Sequence, residues 1–310
     1  MLEPRLDFVT CAGPSGLHRM AYWEWGDPAN GRVLLCVHGL TRTGRDFDTL
    51  ARRLCGTYRV VCPDVVGRGA SDWLVDAAGY VVPQYVADML ALIARAHPSR
   101  LDWVGTSMGG LIALALLGAY AQARVARPET VVRGLDPALG IPFGRIVLND
   151  IGPDLDPDGV ARIADYVGQP VAFGSFDQAV DYVRDISPGF GPHTRAQWET
   201  LARHVMVRHD SQWVKHYDLR IAQPFSLQDA AALKASEAIL WSSYESIPVP
   251  LLILRGEQSD LLSADSAARM LARNSAARLQ VVAGVGHAPT LMADIQIEPI
   301  ERFLLADDQS

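Results

Sequence analysis

The stretch LDWVGTSMGGLIALALLGAY, residues 101–120, joins two apolar runs through a short turn that contains Gly105, Ser107 and Gly109. The first run favours a strand and the second a helix, and G-x-S-x-G at such a junction is the pattern of a sharp turn that exposes the serine hydroxyl. The same letters also fit a serine that only caps a helix on a glycine-rich turn. The strand–turn–helix setting favours the first interpretation and predicts that Ser107 is a nucleophile.

Other apolar runs of strand length flank this turn: RVLLCVHGL, YRVVCP, GRIVLND, PLLILRG and LQVVAG. The segments between these runs have apolar residues at helical spacing, and one of them predicts a helix from about residue 83 to residue 96. Continuous apolar runs that alternate with helices predict a mostly parallel α/β sheet covered by helices on both faces. Function in such sheets gathers at the carboxyl ends of the strands. The polar residues predicted there are His38, Asp64, Ser107, Asp150, Asp260 and His287.

Residues 151–247 break the alternation, because their segments have helical spacing and contain no buried-strand run. The sequence therefore predicts a core of residues 1–150 and 248–310 with a helical cap, or lid, inserted between them. Residues 126–144, rich in Pro and Gly, are predicted to be a surface connection. Large apolar side chains of the predicted cap are expected mainly to form its own core and to favour a modest apolar substrate: Phe173, Phe190, Trp198, Met206, Trp213 and Trp241.

A serine hydroxyl becomes a good nucleophile only when a base removes its proton. His287 is the candidate base, and it follows the last predicted strand in a glycine-containing loop. The histidine needs a carboxylate to orient it, and Asp260 after the penultimate strand is the preferred candidate. Asp150, which closes the preceding strand, and Glu257, which shares the loop of Asp260, are the alternatives. An oxyanion is expected to be held by the backbone N–H groups of Leu40, after His38-Gly39, and of Met108.

Together the motifs HGLTRTGRDFDTLARRL, PDVVGRGASD, WVGTSMGGLIAL, LRGEQSDLLS and GVGHAPTL resemble the α/β-hydrolase fold superfamily in order and spacing. The resemblance implies Ser107 as nucleophile, His287 as base and Asp260 as acid, with no cofactor and no metal. It also implies that Asp64 and Arg68 shape a loop near the mouth of the site.

The expected reaction is hydrolysis of a carboxylic ester, as in carboxylesterases. Epoxide hydrolases and haloalkane dehalogenases with this fold use aspartate where Ser107 stands. Carbon–carbon hydrolases of ring-cleavage products, acyltransferases or perhydrolases on the same triad, and a non-catalytic binding protein stay as alternatives.

The composition agrees with an enzyme that acts on small molecules. The 310 residues are 49% apolar with a net charge of -7, and no basic run indicates nucleic acid or a membrane surface as partner. Cys11, Cys36, Cys55 and Cys62 form no CxxC pair, so neither a zinc site nor a disulfide framework is predicted. The expected location is the cytoplasm, and the sequence leaves the oligomeric state open.

Overall fold

The computed structural model describes residues 3–126, 140–226 and 230–306. Most of the predicted connection at 126–144 lies outside the described residues. The strands are β1 (Arg5–Gly13), β2 (Gly16–Trp25), β3 (Arg32–Val37), β4 (Arg59–Pro63), β5 (Arg100–Thr106), β6 (Phe143–Asn149), β7 (Ala172–Phe173), β8 (Met206–His209), β9 (Gln212–Lys215), β10 (Leu251–Gly256) and β11 (Ala277–Val282). The helices are α1 (Asp48–Leu54), α2 (Val82–Ala96), α3 (Met108–Ala126), α4 (Pro157–Tyr166), α5 (Phe176–Asp185), α6 (Arg195–Val205), α7 (Gln223–Ser226), α8 (Ala230–Glu245), α9 (Ala264–Arg273) and α10 (Asp294–Leu305).

The main sheet has eight strands in the described residues, in the order β1-β2-β4-β3-β5-β6-β10-β11. β2 pairs antiparallel with β1 and with β4, and the pairs from β4 to β11 are parallel. The carboxyl ends of the parallel strands therefore meet at one edge, where β5, β6 and β10 are neighbours. The predicted mostly parallel α/β-hydrolase sheet is confirmed.

Helices cover both faces because the buried strands are apolar on both sides. In β3, Val33, Leu35 and Val37 pack into the cluster that includes α2, α3 and α8. Leu34 and Cys36 point the other way, into the cluster of α1 and α10. The period of two along a strand thus divides one apolar run between two cores.

The segment between β6 and β10 has its own small core of buried side chains from α5 and α6, around Val180, Trp198 and Leu201. A three-stranded antiparallel sheet, β7-β9-β8, lies beside these helices, although the sequence predicted only helices and loops there. These strands are two to four residues long, too short to leave a periodic signal.

The end of this segment departs from the predicted boundary at residue 247. Helix α8 packs along α3 of the main domain, where a Cβ on Gly118 would lie 2.0 Å from the Ser243 hydroxyl oxygen. Trp241 accordingly belongs to the main core. Phe173, Phe190, Trp198, Met206 and Trp213 do pack in the small core, as expected. We keep the name cap for the described residues 151–226, whose action as a lid stays a prediction. In the described part of the chain, no helix is long and apolar enough to cross a membrane.

Candidate active site

Ser107 lies at the turn between β5 and α3 with a positive φ of 52°. The residues two positions before and after Ser107 have to be glycine, since a Cβ on Gly109 would lie 2.0 Å from the Val37 carbonyl oxygen. A Cβ on Gly105 would likewise lie 2.5 Å from the backbone of Gly109. The helix can therefore pack tightly against the strands only with these glycines, and that packing leaves the serine at the tip of the turn.

His287 lies in the loop that follows β11, and its Nε2 is 2.9 Å from Ser107 Oγ. Its side chain is only 9% exposed. The cap contacts this loop directly, because the Gly286 N–H donates to the Gly189 carbonyl oxygen at 2.7 Å. A Cβ on Gly189 would lie 2.9 Å from the His287 backbone. The predicted serine–histidine pair is thus in hydrogen-bond contact, with the cap packed against the histidine loop.

Asp150, not Asp260, makes the carboxylate contact with His287. Asp150 Oδ2 is 2.8 Å from His287 Nδ1, and this carboxylate is fully buried. The Gly256 N–H donates to Oδ1 at 2.7 Å, and the Ser259 hydroxyl donates to Oδ2 at 2.6 Å. These donors fix the buried carboxylate in position. The hydrogen-bonded series therefore runs Ser107–His287–Asp150, which still has the predicted chain order of Ser, Asp, His.

The prediction that Asp260 orients His287 is wrong for a clear physical reason. Asp260 pairs with Arg162 of α4 through two contacts, Nε to Oδ2 at 2.5 Å and Nη2 to Oδ1 at 3.0 Å. Partial burial of Asp260 works against ionisation, but the hydrogen bonds and charge of Arg162 outweigh it and lower the pKa of this carboxyl. The other alternative, Glu257, accepts the Gly284 N–H at 2.9 Å.

Sequence reasoning missed two positioning side chains around these residues. Ser259 was overlooked because it immediately precedes the favoured Asp260 and carries no motif of its own. Asn149 ends β6, and its amide donates to Thr106 Oγ1 and to the Pro289 carbonyl oxygen, each at 2.9 Å. It joins the ends of β5 and β6 to the histidine loop. A polar residue at the end of an apolar strand was the available signal for Asn149 and for Asp150.

His38 shapes the loop that passes beside the serine. Its Nδ1 lies 2.7 Å from the Gly39 carbonyl oxygen, and its Nε2 accepts the Val65 N–H at 2.9 Å. Because the Val65 amide can only donate, Nδ1 carries the proton and the ring is neutral. Burial lowers the pKa of His38 to about 4. Gly39 follows and lies close to Ser107, since a Cβ there would lie 3.6 Å from Ser107 Cβ.

Arg68 is fully buried beneath both predicted oxyanion residues. Its Nε donates to the Leu40 carbonyl oxygen at 2.8 Å, and its Nη2 lies 3.8 Å from Met108 Sδ. Nη1 donates to the Val66 carbonyl oxygen and the Tyr85 hydroxyl. Among the described residues, no acceptor bonds the backbone N–H of Leu40 or of Met108. The loop-shaping role expected of Arg68 agrees with these contacts.

A cavity opens at Ser107 and His287 between the strand ends and the cap. Apolar side chains of the cap line much of it: Ile163, Val183, Ile186, Phe190, Leu201 and Met206. Phe190 and Met206 thus belong both to the small core of the cap and to the wall of the cavity. The combination of an apolar wall with a few polar groups is typical of a small-molecule site.

One cluster with metal-ligand chemistry occurs among the described residues, formed by Cys11, His18 and Asp88. It lies on β1, β2 and α2, apart from the serine. His18 Nε2 is already 3.0 Å from both carboxylate oxygens of Asp88, and burial raises the pKa of the Cys11 thiol to about 12. A metal ion needs the thiolate, so this cluster fits a hydrogen-bonded core group better than a metal site.

The fold and the serine turn together define the class of protein: the chain belongs to the alpha/beta hydrolase family, whose family model matches residues 34–297. It is 50% identical over 305 residues to a 3-hydroxybutyrate-oligomer hydrolase from Cupriavidus necator, an alignment that covers 97% of this chain and 98% of that protein. It is 28% identical over 282 residues to a pimeloyl-acyl-carrier-protein methyl ester esterase from Xanthomonas campestris, with coverage of 89% and 96%.

Among solved structures, an alpha/beta hydrolase from Novosphingobium aromaticivorans superimposes with a TM-score of 0.80 and 34% identity. The match covers 98% of this chain and 99% of that chain. The predicted family is confirmed, and these relatives support hydrolysis of esters as the general activity.

Proposed function

We propose that this protein hydrolyses short oligomers of 3-hydroxybutyrate, or of closely related hydroxy acids, through an acyl-enzyme on Ser107. The observation that carries the mechanism is the hydrogen-bonded series Ser107–His287–Asp150, with contacts of 2.9 Å and 2.8 Å. The substrate follows from the relative that is 50% identical over 97% of this chain. Units of a hydroxy acid are joined through ester bonds, so the substrate is an ester.

The first half of the reaction forms the acyl-enzyme. The Nδ1–H of His287 donates a hydrogen bond to Asp150, so the unprotonated Nε2 faces the serine hydroxyl. Nε2 takes the proton while Ser107 Oγ bonds to the ester carbonyl carbon. The tetrahedral intermediate then collapses, the bond to the alkoxy oxygen breaks, and His287 returns its proton to that oxygen. The first product leaves as an alcohol.

Two backbone amides would stabilise the negative oxygen of the intermediate. The N–H groups of Leu40 and Met108 have no acceptor among the described residues and belong to segments on either side of Ser107. The Leu40 N–H shares its peptide group with the Gly39 carbonyl oxygen, which accepts from His38 Nδ1 at 2.7 Å, so this contact orients the donor before the substrate arrives. Donors that are already oriented need no rearrangement when charge develops.

The second half returns the enzyme to its starting state. His287 takes a proton from water, and the resulting hydroxide attacks the acyl carbon. When the bond from that carbon to Ser107 Oγ breaks, His287 gives the proton back to the serine. The second product is a carboxylic acid, and no cofactor enters either half.

The test is hydrolysis of the 3-hydroxybutyrate dimer and trimer, followed by chromatography of the monomer, with wild type and Ser107→Ala compared. We expect monomer from wild type and none above the blank from the variant. A series of nitrophenyl esters of increasing acyl length serves as a general ester control. Cleavage of nitrophenyl esters without cleavage of the oligomers would contradict the substrate, and equal rates in both proteins would contradict Ser107 as nucleophile.

A further inference from the structure

Lys215 is a buried cation in the wall of the same cavity as Ser107 and His287. It ends β9, and only 8% of the residue is exposed. Neither the ester chemistry nor the packing of the cap requires a charge at this position. Burying an ammonium is costly unless a counter-charge or hydrogen-bond acceptors replace its water.

The groups around the Lys215 ammonium replace its lost water only in part. Nζ donates to the Tyr166 carbonyl oxygen at 2.8 Å. It also faces the rings of Tyr182 and Tyr217, with Nζ 5.5 Å and 5.6 Å from their centroids. Among the described residues, no carboxylate lies within salt-bridge distance of Nζ. Burial lowers the pKa of Lys215 to about 8, so the side chain is still charged at neutral pH.

The other cationic side chains of the cavity wall are already paired. Arg42 holds Asp46 through two contacts of 2.7 Å. Arg162 holds Asp260 in the same two-contact manner. Lys215 is thus the cation of this cavity that, within the described ranges, lacks an anionic partner.

A second group beside the lysine lacks an acceptor for its proton. The Tyr217 hydroxyl lies in the cavity wall and is buried, and although the Gly168 N–H faces it, its proton has no acceptor among the described residues. A buried hydroxyl whose proton has no acceptor is uncommon in proteins. Nζ of Lys215 lies 5.6 Å from the centroid of the Tyr217 ring, so an ammonium and a hydroxyl lie in the same part of the cavity wall.

We propose that Lys215 and Tyr217 form a carboxylate subsite, which binds the free carboxylate of an acidic ester substrate while Ser107 attacks the ester carbonyl. This inference rests on the proposed function, because each hydroxy-acid oligomer ends in a carboxylate. It adds that the enzyme selects the charged oligomer over the same ester without the charge. Substrate binding then supplies the counter-charge that the fold leaves out.

The experiment measures binding separately from hydrolysis. Calorimetry on the Ser107→Ala protein compares the 3-hydroxybutyrate dimer with its neutral methyl ester. We expect the acid to bind about ten- to hundredfold more tightly, the range of one hydrogen bond between charged groups. Adding Lys215→Met should remove this preference, and Lys215→Arg should restore part of it. Lys234→Met is the matched control, because Lys234 is an exposed lysine on α8 and its loss should leave the preference unchanged.

The outcomes separate the two proposals. Equal binding of acid and methyl ester, no binding of the acid, or a preference that survives Lys215→Met overturns the carboxylate subsite. Hydrolysis of the oligomers without any charge preference therefore leaves the proposed function standing and removes the subsite. Charge-selective binding that depends on Lys215, without hydrolysis of the oligomers by wild type, keeps the subsite and removes the substrate. Melting temperatures of the lysine variants confirm that they are folded.

Discussion

Strands β6 and β10 are neighbours in the sheet, and an aspartate follows each of them, yet the two carboxylates have different surroundings. Asp150 comes directly after β6 with a positive φ of 57° and is fully buried against His287. Asp260 lies four residues beyond β10, and its side chain is 39% exposed beside Arg162. The end of β10 and the loop after it still contribute to the site, because the Gly256 N–H and the Ser259 hydroxyl both donate to Asp150.

This comparison shows that a loop can hold the carboxylate that follows a neighbouring strand, while its own carboxylate lies away from the histidine. The sharp turn at Asp150 directs its carboxylate to the histidine, whereas the longer loop after β10 carries Asp260 outwards to α4. The difference lies in backbone direction and in the partner that each carboxylate meets. Substitutions at the two strand ends should therefore have very different effects.

Asp150→Asn should have the largest effect. An amide cannot hold the His287 tautomer or stabilise the imidazolium, so we expect kcat for a nitrophenyl ester to fall by about 10⁴-fold. Steady-state kinetics measure the loss, and circular dichroism checks the fold. A fall smaller than tenfold would contradict Asp150 as the orienting carboxylate.

Ser259→Ala should have an intermediate effect. It removes one charge-assisted hydrogen bond to Asp150, which predicts a drop in kcat of about ten- to hundredfold. Ser263→Ala is the control from the same loop, since Ser263 caps α9 by accepting the Ser266 N–H at 3.0 Å. The control should cost about 1 kcal/mol of stability and leave kcat unchanged. Equal kcat values for the two variants would argue against a positioning role for Ser259.

Asp260→Asn should change kcat for a neutral nitrophenyl ester by less than about tenfold, the equivalent of roughly 1.4 kcal/mol. The reason is that its carboxylate holds Arg162 and does not contact His287. The measurement is the same kinetic assay as for Asp150→Asn, run side by side. A loss as large as that of Asp150→Asn would reverse the comparison and restore Asp260 as the acid.

The smallest expected effect is the contribution of the Asp260–Arg162 pair to the stability of the fold, and this contribution depends on pH. The folded pKa of Asp260 lies below its ordinary value of 3.8, so the pair with Arg162 stabilises the fold above that value. The contribution is lost as pH falls through the lower folded pKa. Since the pair is partly exposed, we expect Asp260→Asn to cost less than about 1 kcal/mol at neutral pH.

Urea unfolding of wild type and Asp260→Asn at neutral and at acidic pH measures this contribution. The difference between the two proteins should shrink towards zero as pH falls below 3.8. Salt at about 1 M should also reduce the difference at neutral pH, because it screens exposed charges. A stability difference between the two proteins that grows as the pH falls would contradict the expected pH dependence.

Much of the chain could be predicted because its signals are local. The apolar run of β3 divides between two cores through the period of strand side chains, and the predicted helix at residues 83–96 corresponds to α2. The positions of Ser107 and His287 at strand ends could be predicted for the same reason, since each follows a strand within a glycine-containing loop. The short strands β7, β8 and β9 and the packing of α8 on α3 depend on distant contacts and were not predictable from periodicity.

The sequence alone determined the alternation of strands and helices in the main sheet, the serine turn and the histidine loop, because steric limits at glycine and the pattern of apolar residues act over a few neighbours. Only the tertiary structure decided which carboxylate meets His287. Asp150 and Asp260 both follow strands of the same sheet, and the choice depends on one positive φ and on an arginine 98 positions away in the chain. The same holds for Lys215, because only the tertiary structure shows that its ammonium lies in the cavity wall without a carboxylate of the described residues beside it.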